Sequence, residues 1–307
     1  MIDLLVPLIA TLIGASTPIL LAAIGELVTE RSGVLNLGVE GMMIMGAVCG
    51  FIITVNTGSP WLGFIAGAIG AAALSSVFGF LTQVLLSNQV ATGLALTLFG
   101  LGIAALMGES YTGINPALTP KLFGEGLREL PIIGPIFLGH DLIVYLSVAL
   151  VAGVWITLNR TRVGLILRAV GENHDAAHAL GYKVVRIRFA AILFGGACAG
   201  LGGAYLSLVR VPSWTEGMTA GAGWIALAIV VFASWRPWRA LIGAYLFGGI
   251  TALQLRLQAA QIDLPVALLD ASPYLVTIAV LVVMSSGRAR AALNAPAALG
   301  KVFHASG

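Results

Sequence analysis

Few residues inside the long apolar runs of this 307-residue sequence could do chemistry, and Glu40 is the clearest of them. It follows Arg31 closely enough to lie about 13 Å deep if the intervening chain is helical. A charge at the centre of a membrane helix costs about 2.5 to 3.5 kcal/mol on insertion scales. Two uses for the carboxylate remain open. The first is structural: the carboxylate caps backbone N–H groups near Gly38 and Gly41, or it shares a proton with Asn36. The second is functional: the carboxylate lines or gates a polar path.

Amide and aromatic side chains form a second set of candidates. The amides of Asn88 and Gln89 either belong to a simple turn between two apolar runs or suit a neutral, hydrogen-bonding solute. The indoles of Trp214 and Trp224 either form part of an aromatic belt or stack on a cyclic solute. The candidate residues of a translocation path are therefore Asn36, Glu40, Asn88, Gln89, Trp214 and Trp224.

The loop 159–188 is the most informative stretch between apolar runs. Asn173 can cap a helix N-terminus, Asp175 stands in the first turn of that helix, and Gly181 can end it with left-handed backbone. Small apolar residues occupy most positions between them. The pattern predicts a helix of about two turns, which either lies at the membrane interface as part of the loop or docks into a partner's cleft.

The elements that must position these residues are membrane-spanning helices. The composition is 59% hydrophobic and only 9% charged, with a mean hydropathy of +1.00, whereas soluble domains carry about 25% charged residues. The apolar runs are continuous and reach the roughly 20 residues that a spanning helix needs. These properties predict an all-α polytopic bundle forming one transmembrane domain over residues 1–307, and they exclude a water-soluble enzyme.

Charges and turn residues divide the chain into roughly nine predicted spans, at about 4–26, 36–55, 61–86, 90–108, 141–158, 189–209, 223–236, 240–258 and 272–287. The second begins with polar and glycine residues and the seventh is short, so one or both are expected to be broken or re-entrant. Lysine and arginine concentrate on one side, which the positive-inside rule makes cytoplasmic. We therefore expect the N-terminus outside and the C-terminus in the cytoplasm.

Two segments resemble a known family. Residues 30–42, ERSGVLNLGVEGM, and residues 171–181, GENHDAAHALG, resemble the permease subunits of bacterial ABC importers. That family serves branched-chain amino acids, simple sugars and nucleosides. The first segment, taken with NQV at 88–90 and GLALT at 93–97, is most similar to the nucleoside and simple-sugar branch. His174 departs from the pattern, since the family commonly has proline after the asparagine.

The resemblance implies the remaining parts of the machine. It implies a second, non-identical permease chain, a cytoplasmic ABC ATPase and an extracytoplasmic solute-binding protein, assembled at the bacterial cytoplasmic membrane. It also implies that the helix in loop 159–188 couples the permease to the ATPase. The coupling residues would be Gly171, Glu172, Asn173, Asp175, Ala176, Ala177 and Gly181.

The expected function is uptake of a nucleoside, with a purine nucleoside favoured, or of a related simple sugar, by alternating access. The small number of charges in the membrane core favours a neutral solute. The sequence has no Gly-x-x-x-x-Gly-Lys-Ser/Thr motif, so we expect a separate subunit to hydrolyse ATP and this chain not to be an enzyme. No cofactor, metal or nucleic acid is expected. The alternatives are the same machinery importing branched-chain amino acids, and a non-ABC secondary transporter.

Overall fold

A computed structural model describes residues 2–259, 271–272, 275, 278–279, 282 and 295–304. Within these ranges the regular secondary structure is helical, apart from an isolated β-bridge between Lys121 and Asp141. The all-α prediction is therefore confirmed. The α-helices are α1 (Ile2–Arg31), α2 (Val39–Thr57), α3 (Pro60–Gln83), α4 (Gln89–Gly108), α5 (Glu125–Arg128), α6 (Leu142–Arg160), α7 (Arg162–Glu172), α8 (His174–Ala179), α9 (Val184–Tyr205), α10 (Ala222–Phe232) and α11 (Pro237–Ala259).

Seven of the described helices are long and apolar enough to cross a membrane, namely α1, α2, α3, α4, α6, α9 and α11. They correspond to seven of the predicted spans. The predicted span 223–236 is the 11-residue helix α10, whose length of about 16 Å is too short for a hydrocarbon core of about 30 Å. The predicted span 272–287 lies largely outside the described residues. The structure therefore supports a polytopic bundle without confirming nine spans.

Glycines allow the central helices to approach each other closely. A Cβ atom on Gly46 of α2 would overlap the backbone of Gly200 in α9, and one on Gly200 would overlap the carbonyl oxygen of Gly67 in α3. Membrane helices gain packing contacts where small residues bring their backbones together. The three helices α2, α3 and α9 therefore form a tightly packed centre, against which α1 also packs.

Helix α2 begins inside the bundle rather than at its surface. Residues 32–38 are non-helical and mostly buried, and a Cβ atom on Gly41 would lie 2.7 Å from the Cα atom of Thr97. Thr97 lies about 12 Å along α4 from the start of that helix. The chain is therefore not helical from Arg31 to Glu40. The depth of about 13 Å expected for Glu40 holds only for a continuous helix and does not apply. The predicted irregularity of the second span lies in residues 32–38, and α2 itself is continuous.

One face of the bundle carries most of the described basic residues, and we call it the basic face. It comprises the end of α1, the end of α6, all of α7 and α8, the start of α9, the turn 233–236 and residues 295–304. Hydrogen bonds join several of these segments: the Arg31 side chain donates to the Trp235 carbonyl oxygen, and the Ala298 N–H donates to the Gly171 carbonyl oxygen at 2.9 Å.

Candidate functional site

The carboxylate of Glu40 holds the start of α10 inside the bundle. Its Oε1 accepts hydrogen bonds from the Thr219 hydroxyl at 2.6 Å and the Gly221 N–H at 2.9 Å, and its Oε2 accepts from the Gly223 N–H at 2.7 Å. A carboxylate at a helix N-terminus satisfies otherwise unpaired N–H groups and interacts favourably with the helix dipole. Glu40 is 3% exposed. It therefore has a capping role, with partners far along the chain rather than the expected Gly38 and Gly41.

Two non-helical segments meet at this point. Residues 32–38 lead into α2, and residues 211–221 lead into α10, which runs back toward the basic face. A Cβ atom on Gly223 would lie 2.6 Å from the Glu40 Cα atom, so the two chains touch at their backbones. Irregular backbone at membrane depth is tolerated only where protein or a water cavity surrounds it. Residues 32–38 and the short helix α10 are thus the irregular elements that the sequence predicted at the second and seventh spans, and they meet at Glu40.

Asn36 stabilises the first of these segments and does not hydrogen-bond to Glu40. Its Oδ1 accepts from the Gly38 N–H at 2.9 Å, and its Nδ2 lies 3.4 Å from the Met42 sulfur. Its backbone N–H donates to Glu26 Oε1 at 3.3 Å. Asn36 therefore shapes the approach to α2 from within a buried environment.

The sequence analysis missed two buried acidic residues of α1, Glu26 and Glu30, each 1% exposed. The first predicted span ended at residue 26, because a charge was taken as the membrane boundary. The helix instead continues to Arg31, and the Glu30 carboxylate accepts a hydrogen bond from the Trp235 indole N–H. The four-residue spacing of the two glutamates, which places them on one helix face, is the signal that could have identified them.

The two amides at the start of α4 have different surroundings. Asn88 is exposed and caps α4 by accepting a hydrogen bond from the Ala91 N–H at 3.0 Å. Gln89 is buried, and its Oε1 accepts from the Leu35 N–H at 2.8 Å. Gln89 therefore supports residues 32–38, while Asn88 faces outward at the same end of the bundle.

The two candidate tryptophans also lie in different places. Trp214 is 2% exposed, and its indole occupies the space where a Cβ atom on Gly108 would lie. Trp224 is 50% exposed and follows Gly223, whose N–H donates to Glu40. Of the two indoles, Trp224 is the one that is accessible near the junction between α2 and α10.

Loop 159–188 folds into two helices, α7 and α8. The predicted cap of the second is confirmed, because Asn173 Oδ1 accepts a hydrogen bond from the Ala176 N–H at 2.9 Å. The predicted left-handed residue is also confirmed, since Gly181 has a φ of +88°. His174 occupies the first position of α8, where proline is favoured in helices generally. The sequence analysis did not identify α7 as a separate helix.

Helix α8 has a buried face and an exposed face. Ala177 is 2% exposed and packs in a small apolar cluster with Val170, Val184 and Phe303. The other face carries exposed residues, and Leu180 just after the helix is 77% exposed. The exposed positions are Asp175, Ala176, His178, Ala179 and Leu180.

The fully buried Arg188 joins this loop to its neighbours. Its guanidinium donates to the Ser32 carbonyl oxygen at 3.2 Å and the Lys301 carbonyl oxygen at 3.0 Å, and its Nη2 lies 3.2 Å from His174 Nδ1. The Phe303 ring packs edge-on against His174, with 5.4 Å between the ring centroids. Burial, together with the positive charge of Arg188, lowers the pKa of His174. Loop 159–188, the end of α1 and residues 295–304 therefore form one packed unit.

Gly171 and Glu172 lie where α7 meets that unit. A Cβ atom on Gly171 would overlap the carbonyl oxygen of Arg31, so only glycine allows this contact. Glu172 is exposed, and its Oε2 accepts a hydrogen bond from the Ala297 N–H at 3.4 Å. These two residues connect loop 159–188 to α1 and to residues 295–304.

Comparison with known proteins places this arrangement in a family. The family model described as "Branched-chain amino acid transport system / permease component" matches residues 8–285. The chain belongs to this permease family. Together with the seven apolar helices, membership makes it a multi-pass membrane protein.

Three curated relatives illustrate the family. The chain is 45% identical to the "Putative glucose ABC transporter permease protein" TsgC13 of Haloferax volcanii, over 87% of this chain and 88% of the relative. It is 32% identical to the guanosine ABC transporter permease protein NupQ of Bacillus subtilis, over 90% of each chain. A second guanosine permease protein of that bacterium, NupP, is 25% identical over 76% of this chain and 70% of its own.

Proposed function

We propose that the chain is a transmembrane permease subunit of an ATP-driven importer for a nucleoside or a simple sugar. The observation that carries the proposal is α8, a capped helix whose exposed face includes Ala176 and Ala179 and is followed by the exposed Leu180. Its opposite face is fixed to the rest of the chain by Ala177 and His174. A rigidly held helix with a protruding Leu180 is suited to entering a groove on an ATPase subunit and transmitting its movement.

The substrate class rests on the relatives. Among the three relatives, one is named for glucose and two are named for guanosine. Glucose and the ribose of guanosine share neutral, hydroxyl-rich rings, which a path with few charges can accommodate by hydrogen bonding and stacking. The higher identity is to the glucose relative, so we propose a simple sugar and a nucleoside as equal candidates rather than favouring the purine nucleoside. Trp224 is the proposed stacking surface on this path, and exposed Asn88 is the proposed hydrogen-bonding group at its mouth.

The other candidate path residues act by positioning in this proposal. Glu40 and Asn36 hold the two irregular segments, and Gln89 supports the first of them. The Trp214 indole anchors the second against Gly108 of α4. Alternating access then moves the junction between α2 and α10 as a unit, because the hydrogen bonds of Glu40 join the two helices. Such gating is a rigid-body change between packed states.

The proposed partners are a second permease chain, a cytoplasmic ABC ATPase and an extracytoplasmic solute-binding protein. In Bacillus subtilis, two different permease proteins are named for guanosine and both match this chain, which supports a non-identical permease pair. We propose one transmembrane domain over residues 1–307 in the bacterial cytoplasmic membrane. The basic face lies in the cytoplasm, which places the C-terminus inside and loop 159–188 next to the ATPase.

A substitution on the exposed face of α8 tests the proposal. Leu180→Asp places a charge where an apolar groove would have to receive it, without touching the buried face of α8. Leu118→Asp is the matched control, because Leu118 is 78% exposed and belongs to the loop between α4 and α6, away from the basic face. The measurements are retention of the ATPase subunit during purification of the assembled transporter, and ATP-dependent uptake in proteoliposomes.

We expect Leu180→Asp to lose the ATPase subunit and uptake, while Leu118→Asp keeps the ATPase. Full ATPase retention and full uptake in Leu180→Asp would overturn the coupling assignment. The solute is tested separately, by comparing uptake of labelled glucose, ribose, guanosine and leucine in cells with and without the gene. Selective loss of leucine uptake would replace the proposed substrate class by branched-chain amino acids, and unchanged uptake of all four would refute it.

A further inference from the structure

A cavity of about 990 Å³ opens on the basic face between the ends of α1 and α6, the helix α7 and the start of α11. Neither the proposed path nor the exposed face of α8 uses it. Its walls come from four separate helices, so the fold assembles it from distant parts of the sequence. The arginines that line it are Arg31, Arg168, Arg236 and Arg239.

The described lining of this cavity has an excess of positive charge. One carboxylate, that of Glu172, faces the four guanidinium groups, and it already accepts the Ala297 N–H. Arg168 and Arg236 lie near enough to Arg31 to repel its charge. The Nε atom of Arg168 is buried and has no hydrogen-bond partner. Because a buried donor without a partner costs about 1 to 3 kcal/mol, an acceptor bound next to Arg168 would stabilise this group.

The cavity lies at the boundary of the membrane. Helix α6 ends at Arg160 and α11 begins at Pro237, so both spans terminate beside it. Trp155 and Trp238 are part of its wall, and tryptophan is enriched at the level of lipid headgroups. An anion that reaches this cavity is therefore at the depth of a headgroup.

An exposed apolar stripe leads away from the cavity along α11. Trp238 is followed at four-residue intervals by Ile242 and Leu246, which are 64% and 43% exposed. Residues with this spacing lie on one side of a helix. A cationic cavity at headgroup depth that continues into an apolar stripe has the polarity of a phospholipid.

We propose that the cavity binds a phospholipid with an anionic headgroup. The phosphodiester accepts hydrogen bonds from Arg168 and from one or both of Arg236 and Arg239, and the acyl chains lie along Ile242 and Leu246. Arginine suits this role because its planar guanidinium can donate two parallel hydrogen bonds to a phosphate. Basic pockets between membrane helices bind anionic lipid headgroups in this way. Inorganic phosphate shares the chemistry of the headgroup, but it has no acyl chains to contact the apolar stripe and should therefore bind more weakly.

The test measures lipid binding to the purified full-length chain in detergent. Phosphatidylglycerol, phosphatidylcholine and inorganic phosphate are titrated separately, and bound lipid is counted by native mass spectrometry. The variant is Arg168→Gln with Arg239→Gln. The matched control is Lys183→Gln with Arg186→Gln, which removes two exposed basic groups of the same face outside the cavity.

We expect saturable binding of phosphatidylglycerol, weakened about thirtyfold in the variant, or about fivefold for each arginine removed. The control should bind as the wild type does. Should the double variant fail to fold, Arg239→Gln alone and Ile242→Ser each test one half of the site, and each should weaken binding. Equal affinity for phosphatidylcholine, equal loss in the control, or full competition by millimolar inorganic phosphate would overturn the proposal.

Discussion

Replacing Glu40 by glutamine should destabilise the folded protein, because an amide cannot keep all three hydrogen bonds of the carboxylate. Every partner of the carboxylate is a donor: the Thr219 hydroxyl and the Gly221 N–H on Oε1, and the Gly223 N–H on Oε2. Glutamine has one oxygen acceptor and an NH₂ group, which only donates. Its oxygen can take the place of Oε1, but its nitrogen then faces the Gly223 N–H at 2.7 Å.

The magnitude follows from those contacts. One hydrogen bond to a charged acceptor, of about 1.5 to 3 kcal/mol, is lost, and a buried donor is left without an acceptor at a cost of about 1 to 3 kcal/mol. We therefore expect Glu40→Gln to lower the free energy of unfolding by about 3 kcal/mol or more. Thr219→Val removes one donor and keeps the carboxylate, so it should cost about 1 kcal/mol.

The assay is denaturant or thermal unfolding of the purified chain in detergent, followed by tryptophan fluorescence. Glu216→Gln is the matched control, since Glu216 is an exposed carboxylate of the same 211–221 segment. Stability of Glu40→Gln within about 0.5 kcal/mol of the wild type would refute the capping role of the carboxylate.

Two further predictions concern helix packing and pH. Gly46→Ala should destabilise the chain by about 1 to 3 kcal/mol through overpacking against α9, whereas Gly102→Ala, with open space at its Cβ position, should have no such cost; unfolding of both variants in detergent checks this. The pKa of His174 is lowered in the folded state, so near the usual histidine pKa of about 6.5 the unfolded chain binds more protons than the folded chain. The neutral His174 side chain therefore contributes its full stability above about pH 6.5, and this contribution decreases as the pH falls below that value. The stability difference between about pH 7.5 and about pH 5.5 should therefore shrink in His174→Gln but not in His304→Gln, and an equal difference in all three proteins would contradict the assignment to His174.

Local features of this fold were predictable from sequence because they depend on neighbouring residues. The cap by Asn173 and the left-handed Gly181 are set within one short helix, and both are confirmed. The inward orientation of Ala177 was not predictable, since which face of α8 is buried depends on Phe303 at the other end of the chain. The partners of Glu40 were missed for the same reason.

The acidic residues of α1 show a second limit. Reading a charge as the end of a span is sound when the charge meets water, but Glu26 and Glu30 are enclosed by protein. Hydropathy measures the cost of placing a charge in lipid and contains no information about a partner such as the Trp235 indole or the Asn36 N–H. The predicted end of the first span was therefore too early, and the second span was assigned a start that is not helical.

A set of contacts connects the proposed ATPase site to the junction in the membrane. Helix α8 is bound through His174 to Arg188, and Arg188 in turn holds the Ser32 carbonyl oxygen at the start of residues 32–38. That segment ends at α2, where Glu40 binds the start of α10. Movement of α8 would therefore displace the irregular backbone before it displaces the packed centre of α2, α3 and α9. Irregular backbone deforms more readily than glycine-packed helices, so this route favours motion of the junction between α2 and α10 as a unit relative to the packed centre, which is the motion that a gate beside Trp224 needs.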